Sequence, residues 1–479
     1  MVSIQKLDNR PARRADPQFK GKVEANPVGE TLKFCYQCGS CTSVCPISKF
    51  IKIYRPNKIL ELAKLGIRGL PQSNAFLFCS ACTLCTKGCP QGVKVHGVMQ
   101  ALKEMAGGDE NVCAFLAEGF EDTLKALSGD MPLPVTYGWI CLRPDEGELG
   151  SIITGVFDRM LASPAPSVRP ASGAPRVAVI GSGPAGLTAA WALAMAGLSV
   201  TMYESQSELG GMLKTGIPSY RLPKNVVDAE IAKIAATGVE MRVNTPVDKA
   251  FFESLRKDNA AVFVATGAFI SRKLNVPGEE NQGVVPALDF LKEYNLTGGA
   301  DLSGKKVVVI GGGNVATDAA GAAVRCRAES VSLFCLEDRE SMPAHEWEIK
   351  EAAEAGVSVN PSWGPKAILG EGKVTGVDLV QCVSVFDENQ KFNPKFNEKK
   401  TQTVEADIVI TAIGQAPDLS YIGEEKRAFR GAVDPYTMET SLPGVFAGGD
   451  AISGTSLLEA IQTGKTAAES ILRCIAKNE

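Results

Sequence analysis

Hydrophobic residues in the N-terminal part of the chain are spaced as in helices. The stretches RPNKILELAKLG, residues 55–66, and VHGVMQALKEMAGG, residues 95–108, are amphipathic and end on glycine. Apolar residues that recur every three or four positions predict a helix, and a glycine after the last of them is a common stop signal. The pattern therefore predicts a helical N-terminal domain.

The pattern changes after a linker rich in proline, alanine and serine at residues 162–176. Residues 176–205 read as a strand, a glycine loop, a helix and a second strand, and residues 305–337 repeat this order. Strands that alternate with helices in this way predict parallel sheets. We therefore predict an α/β protein with two Rossmann-like dinucleotide-binding domains behind the helical domain.

Composition limits the class of protein. The chain has 479 residues, a hydrophobic content of 45% and a net charge of -4. At roughly 150 residues per domain, this length predicts about three domains. The mixed charges do not indicate nucleic-acid binding. The N-terminus lacks the apolar segment of a signal peptide, and no apolar run is long enough to span a bilayer. We expect a soluble, cytoplasmic protein.

Cysteines carry the strongest local signal. Of the 14 cysteines, eight lie in CYQCGSCTSVCP, residues 35–46, and CSACTLCTKGCP, residues 79–90. Both stretches have the spacing C-x2-C-x2-C-x3-C-P. Without an export signal, clustered thiols indicate metal binding rather than disulfides.

In two-cluster ferredoxins of this spacing, the fourth cysteine of each motif ligates the other cluster. Zinc is the alternative, because C-x2-C pairs also form zinc ribbons, but the repeated spacing before proline favours two 4Fe-4S clusters. The predicted ligands are Cys35, Cys38, Cys41 and Cys89 for one cluster, and Cys79, Cys82, Cys85 and Cys45 for the other. Residues 30–110 resemble the small iron–sulfur (C) subunit of heterodisulfide reductases.

The first glycine loop reads G-x-G-x-x-G. Gly181 is expected to make the turn, Gly183 to let pyrophosphate approach the backbone, and Gly186 to pack the helix on the strand. Phosphate would then lie at the helix N-terminus, where free amides favour an anion. Glu204, at the end of the second strand, is placed to accept hydrogen bonds from ribose hydroxyls.

The second loop reads G-x-G-x-x-A, at Gly311, Gly313 and Ala316. Two dinucleotide loops in one chain predict FAD together with NAD(H) or NADP(H). Glu337 ends the second strand of this domain, where an acid accepts from a free ribose 2′-hydroxyl and repels a 2′-phosphate. This favours NAD, while Arg325 or Arg339 folding back onto a phosphate would favour NADP.

The two loops and several other stretches resemble the small subunit of glutamate synthase and its relatives, from about residue 130 to the end. The matching stretches are GSGPAGL, ELGGML, GIPSYRLPK, ATGA, GGGNVATDAA, AIGQAPD and GVFAGGD. The resemblance implies that the nicotinamide domain is inserted in the FAD domain. It also implies further cofactor contacts at Pro184, Ala185, Gly210, Gly211, Met212, Arg221, Ala265, Thr266, Gly267, Asn314, Val315, Gly414, Gly449 and Asp450.

The chain departs from that family at the family's own cluster motif. Cys141 is kept, but Asp145 and Leu149 stand where cysteines would be. The doubled N-terminal motif would replace it. Cys113 or Cys141 as an additional cluster ligand is a weaker alternative to the reading of both as buried small hydrophobes.

The remaining reactive residues indicate no other chemistry. Cys326 and Cys335 lack the C-x-x-C spacing of dithiol exchange. The two histidines, His96 and His345, have no triad context. Hydride transfer needs no acid–base side chain, so no catalytic residue is predicted.

The predicted domains are a polar arm at 1–30, the two-cluster ferredoxin domain at 31–165, the FAD domain at 175–290 and 405–479, and the NAD(P) domain at 300–404. We expect an electron-transfer subunit that links NAD(P)H, FAD and the clusters to other redox subunits or to ferredoxin. The combination is similar to subunits of electron-bifurcating transhydrogenase complexes. A glutamate synthase small subunit is the alternative, and a redox-sensing scaffold is a third reading that two nucleotide loops disfavour.

Overall fold

The computed structural model describes residues 15–27, 29–45, 47–48, 54–67, 75–79, 83–106, 132–142, 148–389, 391–422, 433–452 and 456–478. The predicted ligand Cys82, together with Cys113 and Asp145, lies outside these residues. Of Cys141 and Leu149, only the backbone is described. Among the described residues, no helix combines the length and the apolarity needed to cross a bilayer.

The N-terminal region is helical, as its hydrophobic spacing predicts. Its helices are α1 Pro17–Ala25, α2 Ser40–Ser43, α3 Pro56–Lys64, α4 Leu84–Lys87, α5 Val95–Ala106, α6 Pro134–Leu142 and α7 Glu148–Ala162, with 3-10 turns at Glu30–Phe34 and Ala75–Phe78. Val23, Leu32, Phe76 and Phe157 are fully buried in one apolar core that also takes in the cysteine motifs. The cysteines are therefore part of the core of this region.

A five-stranded parallel sheet in the order β15-β4-β1-β2-β3 forms the first α/β domain. The strands are β1 Arg176–Ile180, β2 Ser199–Tyr203, β3 Glu240–Arg242, β4 Ala261–Val264 and β15 Val445–Ala447. The helices are α8 Pro184–Met195, α9 Met212–Thr215, α10 Lys224–Ala236, α11 Lys249–Asp258 and the C-terminal α15 Leu457–Asn478. Because the chain returns to this sheet only with β15, the intervening residues form a domain inserted into it, as the family resemblance implied.

The inserted domain has its own five-stranded parallel sheet, in the order β6-β13-β7-β8-β9. Its elements are β6 Val284–Pro286, α12 Ala287–Thr297, β7 Lys306–Ile310, α13 Asn314–Arg325, β8 Ser330–Phe334, α14 Glu346–Glu354, β9 Ser358–Asn360 and β13 Ile408–Thr411. An antiparallel sheet of β10 Trp363–Leu369, β11 Gly376–Phe386 and β12 Phe392–Glu405 is added to it. The two Rossmann-like sheets confirm the predicted fold class.

The two domains are joined by a short antiparallel pair. β5 Ile270–Ser271 leaves the first domain and β14 Gln415–Ala416 returns to it, and the two strands are hydrogen-bonded side by side. Both crossings therefore lie at one edge, and the glycine loops of the two domains face a common cleft between them.

A second join fixes the first domain to the helical region. Glu230 on α10 is fully buried, and its two carboxylate oxygens accept hydrogen bonds from Val135 N at 2.7 Å and Thr136 N at 2.8 Å. These amides open helix α6, where free N–H groups need acceptors. Burial raises the pKa of Glu230 to about 7, against the lowering effect of these hydrogen bonds.

Candidate dinucleotide cleft and cysteine sites

The first glycine loop has a different local environment at each of its three glycines. Gly181 has φ +102°, and a Cβ there would lie 2.4 Å from the carbonyl oxygen of Ala265. A Cβ on Gly186 would lie 2.0 Å from the carbonyl oxygen of Gly181, so the helix packs directly on the turn. A Cβ on Gly183 would meet nothing within 4 Å. Open space at this position matches the approach of a pyrophosphate to the backbone.

The carboxylate of Glu204 is hydrogen-bonded to the first glycine loop. One of its carboxylate oxygens accepts from Ser182 N at 3.0 Å and Ser182 Oγ at 2.6 Å, and the other accepts from Gln206 N at 2.9 Å and Ser205 Oγ at 3.3 Å. The residue is 7% exposed. A carboxylate has about four acceptor positions, so a ribose hydroxyl would have to replace one of these donors. The long bond from Ser205 is the one most easily exchanged.

The second glycine loop makes the same turn as the first, but its helix packs less closely on that turn. Gly311 has φ +145°, a Cβ there would lie 2.3 Å from the carbonyl oxygen of Ala412, and Gly313 again faces open space. Ala316 replaces the third glycine and is fully buried with its methyl group accommodated. The helix of the second domain therefore stands far enough from its strand to accept a side chain.

Glu337 lies beside the second loop, as its sequence position predicts. A Cβ on Gly312 would lie 2.9 Å from a Glu337 carboxylate oxygen, and Glu337 is half-exposed. Arg339 pairs in a two-pronged contact with Glu346, at 2.9 and 2.8 Å. Arg325 lies 3.6 Å above the ring of Tyr220. Both arginines that could receive a 2′-phosphate therefore have other partners.

The cleft between the two domains has a volume of about 1300 Å³. Thr266 and Tyr421 line it with hydroxyl groups that are buried and without a well-formed hydrogen bond among the described residues. Asp450, in the 3-10 turn Gly449–Ala451 after β15, also lines the cleft, and burial followed by repulsion from Glu459 raises the pKa of its carboxyl. Buried hydroxyls beside an open glycine loop fit a large polar cofactor such as FAD.

Most predicted cofactor residues line this cleft, and a few lie behind its wall. Those on the wall are Gly181, Gly183, Pro184, Ala185, Glu204, Gly211, Met212, Arg221, Ala265, Thr266, Gly267, Gly313, Asn314, Val315, Gly414, Gly449 and Asp450. Those that do not line it are Gly186, Gly210, Gly311, Ala316 and Glu337. Their positions support the loops from the protein side or flank them.

Arg221 is held by protein groups rather than facing the cleft freely. Its guanidinium pairs with Asp318 on α13, donates to Glu351 on α14 at 2.9 Å, and lies 4.9 Å from the ring centre of Trp347. Burial raises the pKa of Asp318, and the adjacent guanidinium of Arg221 acts against that rise by favouring the carboxylate. Arg221 therefore ties the first domain to two helices of the second.

Four cysteines converge on a small cavity in the helical region. Cys35, Cys38, Cys41 and Cys89, here called the outer set, line it together with Tyr36 and Val95. They come from both motifs in the combination that the cross-ligation rule predicts. In the described part of the chain, no three His, Cys, Asp or Glu side chains converge tightly enough for a single metal ion. Four cysteines from the two motifs around one cavity are the number and type of ligands that a 4Fe-4S cluster needs.

A second group of cysteines, the inner set, surrounds Tyr54. Burial first, and then the nearby thiols of Cys79, Cys45 and Cys85, raises the pKa of this fully buried tyrosine well above its usual value. With Cys82 outside the described residues, three of the four predicted ligands are seen close to one another. They again come from both motifs.

The inner set lies next to the dinucleotide cleft. Tyr137 lines the cleft, and its hydroxyl donates to the carbonyl of Phe78, which precedes Cys79, at 3.1 Å. Thr83, Leu84 and Lys87, which flank Cys85, also line the cleft. Among the residues that the structure describes, none lines both the cleft and the cavity of the outer set.

Four aromatic residues near the cleft or the inner cysteines were not predicted from the sequence. Tyr54, Tyr137, Trp139 and Tyr421 stand outside the recognised motifs, and nothing local marks them as site residues. One signal was present: Tyr137 and Trp139 lie in the stretch MPLPVTYGWICL that resembles the family's own cluster region.

Two nucleotide-binding domains, one inserted in the other and sharing a cleft, define a flavoprotein reductase of nicotinamide nucleotides. The chain belongs to the pyridine nucleotide-disulphide oxidoreductase family, whose model matches residues 175–470. A 4Fe-4S dicluster domain matches residues 34–94. The protein is accordingly an FAD-dependent NAD(P)H oxidoreductase with an iron–sulfur domain.

The relatives are named as parts of larger enzymes. The chain is 42% identical over 305 residues to the NADP(+)-dependent formate dehydrogenase subunit beta of Moorella thermoacetica. The aligned region covers 62% of this chain and 43% of that protein. It is 31% identical to the glutamate synthase [NADPH] small chain of Azospirillum brasilense, over 97% of this chain and 93% of the relative. That likeness extends through the cysteine motifs, so the coverage expected from about residue 130 onward was too short.

A solved structure has the same fold. FprA of Mycobacterium tuberculosis, in complex with NADPH, superposes with a TM-score of 0.55 at 19% identity, over 64% of this chain and 85% of that one. At this identity the likeness concerns the fold alone.

Proposed function

We propose that the protein is an electron-transfer subunit that connects a nicotinamide nucleotide, through FAD and two 4Fe-4S clusters, with a partner subunit of a larger redox complex. One observation carries the proposal: residues flanking the inner cysteines line the same cleft as both glycine loops. A relay needs its redox groups close together, and this arrangement brings their binding residues together.

The chain's own residues would position and separate the redox groups. FAD, when bound, accepts a hydride and releases its electrons singly, which suits one-electron clusters. Gly183 and Gly313 leave room for the two pyrophosphates. Glu204 lines the cleft beside the first loop and Glu337 flanks the second loop beside Gly312, where each would accept from a ribose hydroxyl. Tyr137 and Leu84 form the cleft wall on the side of the inner set.

We further propose NAD(H) as the nucleotide. Glu337 beside Gly312 would repel a 2′-phosphate, and the two nearby arginines are paired elsewhere. The relatives from Moorella and Azospirillum carry NADP(+) and NADPH in their names, so this proposal separates the chain from them.

Anaerobic titration with NADH and, separately, NADPH tests the proposal. Flavin bleaching is followed optically and cluster reduction by electron paramagnetic resonance. We expect NADH to bleach the flavin and to produce the signals of two clusters. If NADPH alone does so, the nucleotide assignment is wrong and the relay stands. If neither nucleotide reduces the flavin, the proposed relay is wrong.

A glutamate synthase small subunit is the second candidate, favoured by similarity that covers 97% of this chain. Co-purification from the native organism separates the two. A glutamine-dependent large subunit would establish the second candidate. A ferredoxin-reducing complex would support the first, and NADH oxidation that reduces a low-potential and a high-potential acceptor together would add electron bifurcation to it.

A further inference from the structure

The two cysteine sets differ in their access to the surface. In the inner set, Cys45 is 4% exposed and Cys79 and Cys85 are each 7% exposed. In the outer set, Cys35 and Cys41 are also buried, but Cys38 is exposed and Cys89 is half-buried. Because electron transfer between proteins requires close approach, the outer set is the one that an external partner can reach.

We propose that the surface around Cys38 docks an acidic one-electron carrier protein. This surface, the outer face, consists of Lys33, Phe34, Tyr36, Val44 and Lys94. The inference rests on the proposed function and adds the exit point and the charge of the partner.

Apolar side chains stand out from the outer face. Phe34 is 54% exposed, Tyr36 is 58% exposed and Val44 is 40% exposed. All three lie within six residues of Cys38 in the chain, and Tyr36 and Cys38 line the same cavity. Protein interfaces are enriched in aromatic residues such as Phe34 and Tyr36, and exposed apolar patches often mark interaction sites.

The charge of the outer face is opposite to that of the whole chain. Lys33 and Lys94 are exposed, and Lys64 donates to the carbonyls of Lys33 and Cys35. Glu30 is the acidic residue of the same 3-10 turn as Lys33. The chain as a whole has a net charge of -4. A basic zone on an acidic protein steers an acidic partner toward that zone and repels a basic one.

The lysines are attached to the segments that bear the cysteines. Lys33 is two residues before Cys35, and the neighbours of Lys94, Val93 and Val95, line the cavity of the outer set. A partner held by these lysines would therefore be centred over that cavity. One electron passes per docking event, so oxidation of one NADH reduces two carriers and releases one proton.

The test compares two carriers of opposite charge, a plant-type 2Fe-2S ferredoxin, which is acidic, and cytochrome c, which is basic. We expect the holoprotein to bind the ferredoxin more tightly at low than at high ionic strength. In the double variant K33E/K94E, ferredoxin affinity falls at least about tenfold at low salt, and cytochrome c affinity rises. Dissociation constants are measured by calorimetry with the carrier oxidised.

Two further variants keep the result interpretable. K399E reverses an exposed lysine on β12, far along the chain from the cysteine motifs, and leaves ferredoxin binding unchanged. F34S removes the exposed ring without altering charge and weakens ferredoxin binding at both salt concentrations. Iron content and cluster signals confirm that each variant retains its clusters.

The outcomes separate this inference from the proposed function. If NADH reduces the clusters but K33E/K94E and F34S bind ferredoxin like the parent protein, the docking inference is overturned and the relay stands. Equal binding of both carriers by the parent protein also overturns it. If NADH fails to reduce the clusters, the proposed function fails, while the binding constants still decide whether an acidic protein docks there.

Discussion

The two dinucleotide loops share one motif but differ in how the protein closes around it. In the first, the helix touches the turn so closely that only Gly186 fits, and the acid Glu204 is buried and fully hydrogen-bonded within the protein. In the second, Ala316 takes the place of the third glycine and the acid Glu337 is half-exposed. The same fold therefore provides one tight and one open site.

The proposed function assigns a different kind of ligand to each of the two sites. A resident cofactor such as FAD gains from a site whose groups are already fixed, since little ordering cost remains on binding. A nucleotide that enters and leaves with each turnover is better served by an accessible acid and a loop with more room. The comparison predicts that changes in the first loop alter stability and cofactor content, whereas changes in the second alter nucleotide affinity.

The largest expected effect concerns the contact that holds the two sites together. R221M leaves Asp318 buried without its cation, which typically costs about 3–5 kcal/mol. We expect a lower melting temperature and a weaker affinity for NADH, both measured on the FAD-loaded protein. R339M, which breaks an exposed pair with Glu346, is the control and should cost about 0–1 kcal/mol. Equal effects of the two variants would contradict the role of Arg221 in connecting the two domains.

The third position of the glycine motif allows a pair of variants, one in each loop. In G186A the new methyl group would lie 2.0 Å from the carbonyl oxygen of Gly181. We expect a loss of about 3 kcal/mol, at the upper end of overpacking effects, together with reduced FAD content. A316G in the second loop costs only about 1 kcal/mol, the helix penalty of glycine. Denaturant unfolding measures the stability of the two variants, and the flavin-to-protein absorbance ratio measures their FAD content. Similar losses in G186A and A316G would contradict the difference in packing between the two loops.

The two acids form a second matched pair. E204Q places an amide nitrogen against donors from the loop, and an unsatisfied buried donor costs about 1–3 kcal/mol. E337Q leaves stability nearly unchanged and improves NADPH binding relative to NADH, because a negative charge beside the ribose is removed. Thermal unfolding and nucleotide titrations check both. A destabilised E337Q protein would show that the second acid is structural as well.

The smallest effect is a pH dependence of the first domain. Burial lowers the pKa of Lys224 to about 7, and its amine donates to the carbonyls of Leu213 and Ile217. Since the unfolded value is about 10.4, the lysine's contribution to stability falls as pH drops from 10 toward 7. We expect the free energy of unfolding to rise by about 1 kcal/mol between pH 7 and pH 8. The variant K224M should lack this rise.

Local sequence patterns anticipated much of this molecule. The glycine loops, the helical N-terminal region and the inserted second domain are where the motifs and the family resemblance placed them. The four outer cysteines, which come from both motifs, line one cavity. That they and the inner cysteines bind two clusters stays a prediction, and Cys82 lies outside the described residues. Arg221 shows the limit: the motif around it indicated a cofactor contact, but its guanidinium is paired with acids of another domain.

The features that could be predicted from the sequence alone are set by short-range constraints. A glycine with positive φ, a C-x2-C spacing or an acid at a strand end acts over a few residues, so each can be read locally. Two relations became known only from the tertiary structure. Tyr137 and Leu84 bring the inner cysteines to the dinucleotide cleft, and Cys38 faces solvent. These relations join residues far apart in the chain, where packing of whole domains sets the distance and no local pattern records it.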